Sequence, residues 1–166
     1  MLMNSDEYVI MDDVQFTRRD WRNRNIIKNG ESKQWLTIPV ENKGNFGTAR
    51  VMDMKIADYN WTDKHLSKLE GAYKSSDFWA ELLEFLHAIY KKARQLEHLT
   101  EINYLFLVEL CNLLKIDHNI SMSTKYYSLS ELDSFNASER LVRLAEACNA
   151  RIYLTGPAAL NYLDLS

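Results

Sequence analysis

Between Ser76 and Ala93 the apolar side chains recur at one spacing: Trp79, Leu82, Leu83, Leu86, Ile89, Tyr90 and Ala93. This i, i+3, i+4, i+7 pattern defines one stripe of an amphipathic helix, with Ser76 or Asp77 as the expected cap. Two further helices are predicted beside it. One starts at an Asn60 cap and carries Trp61, His65, Leu66, Leu69 and Tyr73, with Gly71 weakening its second half. The other starts near Thr100, has Glu101 in its first turn and carries Ile102, Leu105, Phe106, Glu109, Leu113 and Leu114. The helix from Ser76 or Asp77 and the one from near Thr100 read as a hairpin, and the helical segment covers about 60–116.

Strand-like runs flank that segment. Tyr8-Val9-Ile10-Met11 ends at Asp12-Asp13, and Trp35-Leu36-Thr37-Ile38-Pro39-Val40 follows the Asn29-Gly30 turn signal. Val51, Met54 and Ile56 indicate a third extended piece, and Ile120 with Met122 a further strand. Asn136-Ala137-Ser138 opens a helix with Leu141, Val142, Ala145 and Cys148 on one face. Arg151-Ile152-Tyr153-Leu154 then reads as a strand, followed by Gly156-Pro157 and a short helix to the end. The predicted class is α/β, with a mixed or mostly parallel sheet, a helical hairpin insertion and flanking helices in a single domain, 1–166.

Composition narrows the function classes. The 166 residues are 46% hydrophobic, enough for a core without disulfide or metal staples. Twenty Lys and Arg against 23 Asp and Glu give a net charge of −3, which argues against a general nucleic-acid binder. Cys111 and Cys148 have no C-x-x-C spacing, and no basic leader or long apolar run is present. A cytoplasmic protein with no membrane span is expected. No GxGxxG, Walker A, HExxH, GxSxG or CxxC motif occurs, so the residues name no cofactor.

The densest chemistry lies after the first strand. Asp12-Asp13-Val14-Gln15 leads into Arg18, Arg19, Trp21, Arg22, Asn23, Arg24, Asn25 and Lys28. On a strand-end loop, guanidinium forks can take phosphate or carboxylate oxygens while Trp21 stacks on a ring. The bland alternative is a solvated loop whose acids pair with its own arginines. Asp12 or Asp13 could serve as a base, but strand alternation sends adjacent side chains to opposite faces, so one of the two is expected in a site. His65, one helical turn from Trp61 and next to Lys64, is the histidine nearest to other reactive side chains. Its bland reading is a structural helix histidine. His98 and Glu101 have metal-ligand spacing, yet no second pair completes a site, so they read as a helix terminus and no metal is expected. Ser138-Glu139-Arg140 at a helix start could receive an anion, and Gly156 would let a ligand approach closely.

Five of these stretches occur in a familiar order: Asp12 to Asn25, Trp35 to Val40, Trp61 with Lys64-His65, Arg140-Leu141-Val142, and Tyr153 to Ala158. Together they resemble the WbqC-like protein family. Against that family's pattern the chain lacks an opening His-Gln-Pro segment and the residues after the Gly-Pro turn, so a domain truncated at both ends is expected. An unpaired sheet edge left by the missing strand would allow homo-oligomers. The resemblance implies a place in bacterial surface-polysaccharide synthesis and a transferase adding an acyl or aminoacyl group to a nucleotide-activated amino sugar. Under that implication the Arg18–Lys28 segment holds a diphosphate, Trp21 or Trp35 stacks on a base or sugar, and Asp13 or His65 deprotonates the attacking amine. A non-catalytic binding or scaffold protein of the same pathway is the alternative.

Overall fold

The computed structural model describes residues 2–41 and 48–156. In chain order the elements are β1 (Tyr8–Ile10), β2 (Arg24–Asn29), β3 (Ser32–Thr37), α1 (Trp61–Tyr73), α2 (Trp79–Ala93), α3 (Leu99–Leu113), β4 (Ile120–Met122), α4 (Leu129–Ser134) and α5 (Ala137–Ala147). The fold is mixed α/β. Among the described residues the strands form one parallel pair and one antiparallel pair rather than one continuous sheet. Two compact units result: Val14–Leu110, and Met1–Asp13 together with Cys111–Ser166.

In the Val14–Leu110 unit, β2 and β3 pair in antiparallel register, Ile26 opposite Trp35 and Asn29 opposite Ser32. The connection is only Gly30-Glu31, and Gly30 sits at φ +60°, where a side chain would be strained. The basic segment is therefore not a loop throughout, since its second half is strand β2. Arg24-Asn25-Ile26-Ile27-Lys28-Asn29 has no clean polar/apolar alternation, and the turn signal after it is its only mark. The three predicted helices are present, α1 with Asn60 at its cap position and α3 beginning one residue before Thr100. Asn60 gives no side-chain cap; instead Asp58 Oδ1 accepts the Asn60 N–H at 2.9 Å. Helix α2 likewise begins without Ser76 or Asp77 as a cap, because the Ser76 hydroxyl donates back to Tyr73 O at 2.7 Å. Val51–Asp53 forms a 3-10 turn, and within the predicted extended piece Lys55 and Ile56 make isolated bridges, to His98 and Val40.

The core of this unit gathers Trp61 from α1, Ile89, Tyr90 and Ala93 from α2, and Leu99 and Ile102 from α3, against Phe16, Ile38, Val51, Met54 and Ile56. Trp61 lies 5.6 Å from the Tyr90 ring and 6.4 Å from Phe106, centroid to centroid, the separations at which aromatic pairs attract.

In the other unit β1 and β4 run parallel, Tyr8 opposite Ile120 and Ile10 opposite Met122. Ser128 and Glu131 form a capping box at α4, and Asn136 Oδ1 accepts the Glu139 N–H at 2.9 Å at α5. Leu132, Leu141 and Leu144 are buried. Val142 is exposed, contrary to expectation, because the 141, 144/145, 148 spacing already fills the inward stripe and 142 lies about 100° around the helix from it. Arg151–Leu154 is not a strand: no described residue pairs with it, and Ile152 is 86% exposed. Strand propensity needs a neighbouring strand to act on. The turn at Pro157 and the helix predicted after it lie outside the described residues.

Candidate functional site

Alternation along the β2–β3 hairpin places Arg24, Ile26 and Lys28 on the same face as Lys33, Trp35 and Thr37, and turns buried Leu36 the other way. On the first face Trp35 is 37% exposed and Trp21, just before β2, is 63% exposed. Their rings lie 5.3 Å apart at 46°, and the Arg24 guanidinium carbon sits 4.1 Å from the Trp35 centroid. The result is an open aromatic platform with a cation stacked on it. Helix α1 supports it: the Lys28 N–H donates to Tyr73 Oη at 3.1 Å and Lys68 Nζ to Trp35 O at 2.9 Å.

Two lysines on that face, Lys28 and Lys33, are direct cross-strand partners. Like charges placed opposite one another destabilise a strand pair by some tenths of a kcal/mol unless an anion lies between them. Lys33 escaped the sequence reading, although its position two residues before Trp35 puts it on the Trp35 face, about 7 Å away along the strand.

The rest of the basic segment is mostly occupied with its own structure. Asp20 Oδ1 accepts the Trp21 N–H at 2.6 Å, and Oδ2 accepts the Thr17 hydroxyl at 2.5 Å and pairs with Arg22. The Thr17 hydrogen bond leads in holding the Asp20 carboxyl below its ordinary range; burial opposes it, and the Trp21 N–H, Arg22 and Arg24 add to it. The Arg24 guanidinium also donates to Arg19 O, and Arg19 adopts a left-handed φ of +59°, a conformation costing about 1 kcal/mol in a residue with a side chain. Asn23 Nδ2 donates to Ile38 O at 2.9 Å, and Asn25 Oδ1 accepts the Ile26 N–H at 2.8 Å. Arg18 and Gln15 are exposed, Gln15 in an isolated bridge with Arg50.

His65 and Lys64 diverge on α1. Lys64 is exposed and pairs with Asp58 at 2.8 Å. His65 is 6% exposed, with Nε2 3.0 Å from Thr37 O and Nδ1 3.3 Å from Tyr90 Oη. The tautomer that satisfies both contacts has Nε2–H donating to Thr37 and Nδ1 accepting from Tyr90. Burial, with the Lys68 charge adding to it against the Thr37 hydrogen bond, pushes the imidazole down to about 4. Burial also raises the Tyr90 phenol far above its ordinary value. At neutral pH this is an uncharged bridge tying the end of β3 to α2.

In the other unit Asp12 and Asp13, two and three residues past the end of β1, are both buried. Asp13 Oδ1 accepts the Ser123 hydroxyl at 2.5 Å and Oδ2 accepts Arg140 Nη1 at 2.8 Å. Arg140 also donates to Leu132 O. The side chains of this ion pair are 0% and 15% exposed, so Arg140 at the start of α5 is joined to a carboxylate of its own chain. Ser138 is half-buried in the first turn of α5. A Cβ on Gly156 would meet nothing within 4 Å, so no close approach requires a glycine there. Glu101 Oε2 accepts the His98 N–H at 3.0 Å, the helix terminus that spacing predicted, and no group of three His, Cys, Asp or Glu side chains able to hold a metal occurs among the described residues. No helix among them is long and apolar enough to cross a membrane.

Comparison with known proteins places this mixed α/β chain in a family. It belongs to the WbqC-like protein family, whose pattern matches residues 1–166. It is also 36% identical over 159 residues to the uncharacterized protein Rv1507c of Mycobacterium tuberculosis, an alignment covering 96% of this chain and 66% of that relative. The chain thus spans just under two thirds of the relative's length. No solved structure matches it.

Proposed function

We propose that this chain binds a nucleotide-activated amino sugar on the outer face of the β2–β3 hairpin and transfers an acyl or aminoacyl group to it in bacterial O-antigen and surface-polysaccharide synthesis in the cytoplasm. The carrying observation is the exposed Trp21–Trp35 pair beside Arg24, with the like-charged pair Lys28 and Lys33 one step along the same face. A base or sugar ring fits the first and a diphosphate relieves the second.

The alternative is a binding or scaffold protein of the same pathway. Asp13 and His65, the candidate bases, have their polar atoms engaged by Ser123 and Arg140, and by Thr37 and Tyr90, and this favours the alternative. Asp12 completes the set of candidate bases.

Thermal unfolding with UDP-, dTDP- and GDP-sugars tests the binding. Saturation at 100 times Kd adds about 2.7 kcal/mol, or about 5–10 °C in Tm for a chain of this size. Trp35→Ala and Lys33→Gln should each abolish the rise; Lys33→Gln, at an exposed position, should leave the Tm without ligand nearly unchanged, whereas Trp35→Ala lowers it through the packing lost against Trp21 and Arg24. A rise that survives both substitutions, or no rise with any nucleotide sugar, rejects the platform. Mass spectrometry of the sugar after incubation with acyl and aminoacyl donors then separates transferase from scaffold.

A further inference from the structure

A second concave surface lies wholly within the unit built from the two ends of the chain. It is a groove of about 830 Å³, within the range of small-molecule sites, whose walls include Leu141, Leu144 and Ala145 of α5, Val9 of β1 and the exposed Ile152. Glu7, just before β1, is on its lining, and its hydrogen bonds and ion pair with described residues fall on one oxygen. Oε1 accepts the Ser121 hydroxyl at 2.6 Å and the Tyr126 hydroxyl, and Lys125 Nζ stands 3.6 Å from it. Oε2 accepts from no described residue.

A carboxylate held on one oxygen by two hydroxyl hydrogen bonds, with an ammonium nearby, is a positioned acceptor with capacity left on its other oxygen. Burial works to raise the Glu7 carboxyl, and the hydrogen bonds from Ser121 and Tyr126 with the Lys125 charge outweigh it, so the group stays ionised. Among the described residues Asp6 is the other acid on the lining and Arg151 its one basic side chain. The Lys125 ammonium is mostly solvated and approaches Oε1 only, so the groove keeps a negative polar end beside apolar walls.

We infer that this groove binds a primary amine carried on an apolar body, with the ammonium on Glu7 Oε2 and the apolar part along Leu141, Leu144 and Ile152. The site is independent of the nucleotide-sugar platform, and either can fail without the other.

Titration calorimetry of the full chain with n-hexylamine, hexanoate and hexan-1-ol tests it. Saturable binding of hexylamine is expected, at least tenfold tighter than either other probe. Glu7→Gln should weaken it tenfold or more. Ile152→Ser, at a largely exposed rim position, should weaken it severalfold with Tm unchanged. Hexanoate or hexanol binding as tightly as the amine, or no saturable heat with hexylamine, would overturn the inference. So would a Glu7→Gln chain of unaltered Tm that binds the amine as wild type does. Should Glu7→Gln fail to fold, the ranking of the three probes on the wild-type chain, together with Ile152→Ser, is sufficient to decide.

Discussion

Acidification should weaken this protein through His65 in a calculable way. The ring is held neutral in the folded chain, with its proton affinity down at about 4 against an ordinary 6.5. Between those values the unfolded chain binds a proton that the folded chain excludes, so stability falls as pH drops through 6.5 and the loss is complete below about pH 4. At 1.36 kcal/mol per pH unit the full loss is about 3 kcal/mol, of which about 2.5 kcal/mol is already gone at pH 4.5. In a chain of this size that corresponds to about 5–10 °C in Tm. Carboxylates also titrate in this range, so the informative quantity is the difference between wild type and His65→Gln, which cannot be protonated. At pH 7 wild type should be the more stable by about 1–2 kcal/mol, because the substitution disturbs the bridge from Thr37 to Tyr90. By pH 4.5 the order should reverse. A wild-type-minus-variant gap that stays constant from pH 7 to 4.5, or an NMR titration of His65 near 6.5, would refute the argument and return the imidazole to the list of accessible proton carriers.

Two further outcomes follow from the ion pair and the caps. Arg140→Ala leaves the Asp13 carboxylate buried with only the Ser123 hydroxyl, and should cost about 3–5 kcal/mol in urea unfolding, whereas Asp13→Asn combined with Arg140→Met should recover most of it. Asn136→Ala removes the α5 cap and should cost about 1 kcal/mol by the same assay, with no effect on nucleotide-sugar binding at the platform.

Helices were the legible part of this sequence because their signal is local: the stripe from Trp79 to Ala93 needs no partner to be recognised. Their capping was less so: Asn60 holds the cap position of α1 without a side-chain bond, and α2 starts after Phe78 with the Ser76 hydroxyl turned back to Tyr73 O, choices made by loop geometry rather than residue type. Strands were legible only where tertiary pairing agreed with propensity. Tyr8–Ile10 and Ile120–Met122 found each other, and Ile152–Leu154, with equal propensity, did not pair. Within the candidate site, Trp21, Arg24 and Lys28 stand out by being crowded into one short basic stretch, a signal that local composition carries. Lys33 was missed because register, invisible in a single strand, brings it opposite Lys28. The engagement of Asp13 by Arg140 joins residues 127 apart, a separation no local pattern reports.

The parallel pairing of β1 with β4 also sets a clock. Tyr8 waits for Ile120, so the whole of Val14–Leu110 is synthesised between the two partners. At about 5–20 residues per second, β1 emerges roughly 6–22 s before the strand that covers it. During that interval Tyr8-Val9-Ile10-Met11 is a bare apolar edge, able to recruit the same segment of a neighbouring nascent chain. A translational pause within the helical segment should therefore lower the soluble yield more than one of equal length after Met122, as expression of synonymous-codon variants would show.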